Sequence, residues 1–117
     1  MKRFKVLLCG AGELGSRYLQ GLKACSNLLE ILVYDPKDQS LMLARRRWDE
    51  IVIEDCPHII SFHTSLEKIE SNIDLAIVST TADVRLAVVN QISKSIKVES
   101  WILEKVLVQN AIDIKLL

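Results

Sequence analysis

Apolar residues along this chain fall in short bursts of strand length, separated by longer stretches of helical spacing. The alternation predicts strands and helices in turn, and hence a parallel sheet covered by helices. Phe4 to Cys9 reads as the first strand, and Leu14, Leu19, Leu22 and Ala24 form the apolar stripe of a helix that ends near Ser26-Asn27. Leu29 to Tyr34 is a second strand closed by Asp35-Pro36, and Leu41 to Glu50 a second helix with Leu41, Ala44 and Trp48 on one side. His58 to His63 reads as a third strand, followed by a short helix over Leu66 to Glu70 with Ser65 as its N-cap. Asp74 to Ser79 is almost continuously apolar, as a central parallel strand covered on both faces requires. A helix carrying Val84, Ala87, Val88, Gln91 and Ile92 follows, then a fifth strand over Glu99 to Val106, and Ala111 to Leu117 has helical spacing with no strand after it. The expected fold is α/β: a Rossmann-like doubly wound parallel sheet of about five strands in the order 3-2-1-4-5, with helices on both faces in three layers. Trp48 and Trp101, the two tryptophans, both fall on apolar faces and read as core residues.

Length and composition narrow the picture. The chain has 117 residues, half of them apolar, with 15 basic against 15 acidic residues. Such a chain builds one compact soluble domain, and its zero formal charge lacks the overall attraction that drives non-specific nucleic-acid binding. Three cysteines without metal-ligand spacing suit a reducing compartment, so the cytoplasm is expected. The start Met1-Lys2-Arg3 with Val6-Leu7-Leu8 imitates a signal peptide, but Gly10, Gly12 and Glu13 cut the apolar run short, and no membrane partner is expected.

The candidate chemistry begins at Gly10-Ala11-Gly12-Glu13-Leu14-Gly15, a G-x-G-x-x-G placed straight after a strand and at the start of a helix. Gly10 permits the tight turn, Gly12 lets a pyrophosphate approach the backbone, and Gly15 lets helix and strand pack closely. The N–H groups and positive dipole end of the helix favour a phosphate without a lysine. Asp35 follows Gly15 by the roughly 20 residues at which a carboxylate meets the adenosine ribose. A carboxylate there accepts from the ribose hydroxyls and repels a 2′-phosphate, so NAD is expected over NADP, although Lys37 nearby softens the repulsion. Methyltransferases that use S-adenosylmethionine share a glycine loop, but they carry an acidic residue where Leu7-Leu8-Cys9 stands here. Ligands of open α/β sheets sit beyond the carboxyl ends of the strands, which nominates Ser79-Thr80-Thr81 and Glu104-Lys105. The hydroxyls suit a ribose or a nicotinamide amide and equally suit helix caps, while Lys105 suits a substrate hydroxyl and proton transfer.

These residues together resemble the glucose-fructose oxidoreductase, inositol dehydrogenase and MocA family of NAD(P)-dependent oxidoreductases. The likeness rests on Gly10 to Gly15 with Ser16-Arg17, on Tyr34-Asp35-Pro36, on Asp74 to Thr81, and on Trp101-Ile102-Leu103-Glu104-Lys105, which looks like the family's Glu-Lys-Pro motif. Val106 stands in place of that proline, and Thr80-Thr81 in place of a common Pro-Asn pair. The resemblance covers only the family's N-terminal half. It implies a cofactor-binding domain without the C-terminal α/β domain that supplies an Asp and a His, with Lys105 beside nicotinamide and substrate. Residues 1–117 are thus expected to form a single NAD(P)-binding domain, a fragment of a two-domain oxidoreductase, that binds cofactor and turns over little or nothing alone. Substrates implied by the resemblance are sugars or sugar nucleotides, as in surface-polysaccharide pathways. A single domain of this kind also resembles the NAD(H)- or nucleotide-sensing regulatory domains of potassium transporters, and a third alternative is a dimerisation module with an empty loop. An apolar patch of Ile112, Ile114, Leu116 and Leu117 is expected to favour a homo-oligomer. Arg45-Arg46-Arg47 reads as a solvated helix end, Cys9, Cys25 and Cys56 as packing residues, and His58 and His63 as non-ligands.

Overall fold

The computed structural model of the protein describes residues 3–67, 69, 72–79 and 82–103. The strands are β1 (Phe4–Cys9), β2 (Leu29–Tyr34), β3 (Ile59–His63), β4 (Ile73–Val78) and β5 (Val98–Leu103), and the helices are α1 (Glu13–Lys23), α2 (Asp38–Glu50) and α3 (Ala82–Ser95). All strand pairs are parallel, in the order β3-β2-β1-β4-β5. The connection direction reverses at β1, which opens a crevice between the carboxyl ends of β1 and β4.

The period-two alternation of strand side chains divides the core. Val6 and Leu8 of β1 face one side with Ile31, Val33 and Ile77, under Leu19 of α1 and Leu41, Ala44 and Trp48 of α2. Leu7 and Cys9 face the other side with Leu32, Ala76 and Val78, under Ile92 of α3 and Ile96 just after it. The result is the three-layer arrangement that the apolar pattern implies. Trp48 is buried as expected, and Trp101 packs half-buried on the second side.

Strand β4 runs one residue earlier than expected, β5 starts one residue earlier, at Val98, and three other elements differ from the expectation. The short helix over Leu66 to Glu70 is, in the described residues, a single turn: the Ile69 N–H donates to the Leu66 carbonyl at 3.1 Å. Ser65 Oγ accepts from the Glu67 N–H at 3.2 Å, the bond expected of an N-cap serine, here at the head of this turn. Leu66 and Ile69 are both buried against the second core, so the turn already places the apolar pair that a helix would have supplied. Helix α2 begins at Asp38, a turn before its first buried residue, Leu41, with an acidic residue in its first turn. The third strand starts at Ile59, because His58 is occupied otherwise. Its Nδ1 accepts the Leu29 N–H at 3.2 Å, which makes the imidazole the Nε2–H tautomer that donates to the Cys25 carbonyl at 3.1 Å. Residues 104–106 of the expected fifth strand and the whole of the expected helix over Ala111 to Leu117, with Ile112, Ile114, Leu116 and Leu117, lie outside the described residues.

The amino edge of the sheet is tied by side chains reaching carbonyls. Arg3 Nη1 donates to Pro57 O at 2.6 Å and to Leu29 O at 3.3 Å. Lys23, at the end of α1 and 8% exposed, donates to Trp48 O at 2.6 Å and lies 4.7 Å from the centre of the Trp48 ring. That carbonyl belongs to the last turn of α2, where a cation is favoured, so Lys23 locks α1 and α2 together. Both helices are therefore held firmly at the edge opposite the crevice.

Candidate functional site

The carboxyl ends of β1, β2 and β4 converge on the glycine loop. One step past β1 the backbone ladder still runs: Gly10 N–H donates to Tyr34 O at 2.8 Å, and Ser79 N–H donates to Cys9 O at 2.9 Å. Gly10 has φ of 96°, a left-handed conformation that a side chain would strain. At the next peptide, side chains take over from the ladder. The Ala11 N–H donates to Asp35 Oδ2 at 2.9 Å, from the β2 side. The Gly10 carbonyl accepts from Ser79 Oγ at 2.9 Å, from the β4 side, and the same hydroxyl lies 3.1 Å from Cys9 O. The Gly10–Ala11 peptide unit is thus gripped at its carbonyl and at its N–H from the two strands that flank β1.

Asp35 is buried and serves a second donor, the Lys37 N–H, at 2.9 Å from Oδ1. This second bond is an Asx turn, and it brings the chain around into α2. Each carboxylate oxygen therefore has one backbone donor. An ionised carboxylate offers about four lone-pair sites, which leaves acceptor capacity for further hydroxyls.

Gly12 is the N-cap of α1, with φ of −73° and ψ of −162°. A Cβ built on Gly12 would meet nothing within 4 Å, so there is open space directly beside this N-cap. The first N–H groups of a helix have no intrahelical partner, and the dipole adds positive potential there. An open seat at a helix start, reached by a backbone without a side chain, fits a pyrophosphate. Glu13, Leu14 and Gly15 form the first residues of α1. Thr80, Thr81, Glu104 and Lys105 lie outside the described residues.

Two ionisable side chains beneath the loop are held neutral. Burial pushes the Cys9 thiol from its ordinary 9.0 up to about 12. Burial, with lesser repulsion from Cys9 and Asp35, also raises the Tyr34 phenol. A thiol so protected is a packing residue, as its sequence context suggests. Iodoacetamide at pH 8 is expected to alkylate the half-buried Cys25 and Cys56 in the native protein and to reach Cys9 only on unfolding, which mass spectrometry of the peptides would show. Because the native state binds this proton more tightly, the Cys9 contribution to stability is expected to decline as pH rises above 9.0.

The remaining candidates lie elsewhere. Arg45 stacks over Phe62 at 4.5 Å, and Arg45 and Arg46 share the exposed surface of α2 with Met42, Asp49 and Glu50. His63 bonds Ser61 Oγ through Nε2 at 2.8 Å. Among the described residues no group of His, Cys, Asp and Glu is placed to hold a metal, and no helix is long and apolar enough to cross a membrane.

No protein-family profile matches the sequence, and no curated protein matches it. Solved structures do match the fold. A diketoreductase, described for its substrate-directed dual catalysis of dicarbonyl compounds, superposes with a TM-score of 0.63 at 15% identity, covering 88% of this chain and 42% of that one. The malate dehydrogenase of Salinibacter ruber gives a TM-score of 0.59 at 13% identity, over 87% of this chain and 37% of the enzyme. The malate dehydrogenase of Cryptosporidium parvum gives 0.51 at 19% identity, over 78% of this chain and 31% of the enzyme. The chain therefore spans less than half the length of each, and shares with them the Rossmann-type α/β fold.

Proposed function

We propose that this chain is the dinucleotide-binding part of an NAD(H)-dependent oxidoreductase. The observation that carries the reading is the open seat at Gly12, at the start of α1, beside a peptide held by Asp35 at the switch point of the sheet. In this reading the backbone from Gly10 to Gly12 and the first turn of α1 hold the pyrophosphate, and Asp35 turns its remaining lone pairs to the adenosine ribose hydroxyls. The bound nicotinamide would supply hydride chemistry. Lys105, by resemblance, would orient and polarise the substrate hydroxyl, and Thr80, Thr81 and Glu104 are assigned to cofactor binding from the sequence pattern, while Ser79 follows β4 at the carboxyl edge of the sheet. The two malate dehydrogenases and the diketoreductase support an oxidoreductase, while a sugar or sugar-nucleotide substrate rests on the resemblance of Tyr34-Asp35-Pro36 and of Trp101 to Lys105.

Calorimetric titration with NADH and NADPH tests the proposal. NADH is expected to bind about tenfold or more tightly than NADPH, since a 2′-phosphate would lie against the Asp35 carboxylate. Failure of both to bind at millimolar ligand, or tighter binding of NADPH, would contradict it.

A further inference from the structure

We propose that Ser79 is a positioning residue for the phosphate-binding loop, holding the Gly10–Ala11 peptide from the β4 side. The inference deepens the dinucleotide reading and rests on it. A peptide unit is planar, so the Gly10 carbonyl and the Ala11 N–H turn together. The unit can flip by rotation about the two bonds beside it, and Gly10 is the residue type that resists such rotation least. A flip would aim the Gly10 carbonyl at the Asp35 carboxylate and take the Ala11 N–H away from it, reversing the peptide dipole at the entry to the loop. Asp35 opposes the flip at the N–H, 2.9 Å away, and Ser79 Oγ opposes it at the carbonyl, also 2.9 Å away. The two restraints come from strands on opposite sides of β1.

The roles of the two side chains then separate. Asp35 keeps lone pairs for a ribose, whereas the single hydroxyl proton of Ser79 is shared between Gly10 O and Cys9 O. Ser79 thus acts on a bound dinucleotide through the loop, and its effect belongs to the phosphates rather than to the nucleoside. A serine suits the position because the Ser79 N–H also continues the β4-to-β1 ladder at Cys9 O, which fixes where its side chain starts.

The experiment compares the parent with Ser79→Ala and Ser79→Thr, using ADP and adenosine as probes and amide hydrogen exchange of the ligand-free proteins as an independent readout. Ser79→Ala is expected to weaken ADP about five- to tenfold, the loss of one hydrogen bond, with adenosine unchanged. The Ala11 amide is expected to exchange faster by a similar factor while amides within β1 keep their protection, and Ser79→Thr is expected to restore both quantities. Unchanged ADP affinity and Ala11 exchange in Ser79→Ala would overturn the proposal, as would equal weakening of ADP and adenosine, or a threonine variant that behaves like alanine. If the parent binds no ADP, the dinucleotide reading fails by itself, and exchange at Ala11 still decides whether Ser79 holds the peptide.

Discussion

Gly12→Ser is expected to leave the protein as stable as the parent, or a few tenths of a kcal/mol more so, while lowering NADH affinity by about 100-fold. Two facts separate the effects. Gly12 has φ of −73°, which any residue adopts, and a Cβ there would touch nothing in the protein. The fold therefore does not require glycine at this N-cap, where serine is among the preferred residues because its oxygen can accept a first-turn N–H. The same oxygen would occupy the seat assigned to the pyrophosphate and take up a donor intended for it. A thermal melt beside a calorimetric titration reads both quantities. A variant that binds NADH as well as the parent would show that the open space at Gly12 is not the phosphate seat.

Asp35→Asn is expected to cost about 1–3 kcal/mol of stability and to abolish the preference for NADH over NADPH. The reason lies in the donors that face the side chain. Ala11 N–H points at one oxygen and Lys37 N–H at the other, so both terminal atoms must accept. An asparagine offers one oxygen and one NH2, and whichever way it turns, an NH2 meets a backbone N–H. The loss is a sizeable part of the 5–15 kcal/mol typical of a domain. Where the NH2 faces Ala11 it also releases the loop from the β2 side, and in either orientation the substitution removes the negative charge that would discriminate against a 2′-phosphate. Urea denaturation with paired NADH and NADPH titrations measures both consequences. Unaltered stability would mean that these two hydrogen bonds contribute nothing net.

Much of the architecture was legible in the sequence because the information is local. Phe4–Cys9 and Leu29–Tyr34 carry dense apolar runs bounded by glycine or by Asp35-Pro36, and both strands have those limits in the structure. The glycine spacing, following a strand and opening a helix, placed the loop at the switch point for the same reason. Of Leu66 to Glu70, the described residues form a turn, because two apolar residues three apart satisfy a helical pattern and a single turn equally. The histidine at position 58 reads as the start of a strand, yet it bonds Cys25 and Leu29, which are distant in sequence. The site divides along the same line. Asp35 was visible through its distance from the glycines, and its bond to the Lys37 N–H is a local turn that Asp-Pro signals. Its bond to Ala11 spans 24 residues, and that of Ser79 to Gly10 spans 69. Periodicity and motif spacing carry no trace of such contacts, so the grip on the Gly10–Ala11 peptide emerges only once β2 and β4 lie beside β1.

The most direct test of the central claim is an amide-resolved NMR titration of the protein with NADH. Binding at the glycine loop is expected to shift the amides of Gly10, Ala11, Gly12 and the first turn of α1 most strongly, with Lys37 and Ser79 following through their bonds to the loop and to Asp35. No shifts at millimolar NADH, or shifts confined to the outer surface of α2 around Arg45 and Arg46, would contradict it.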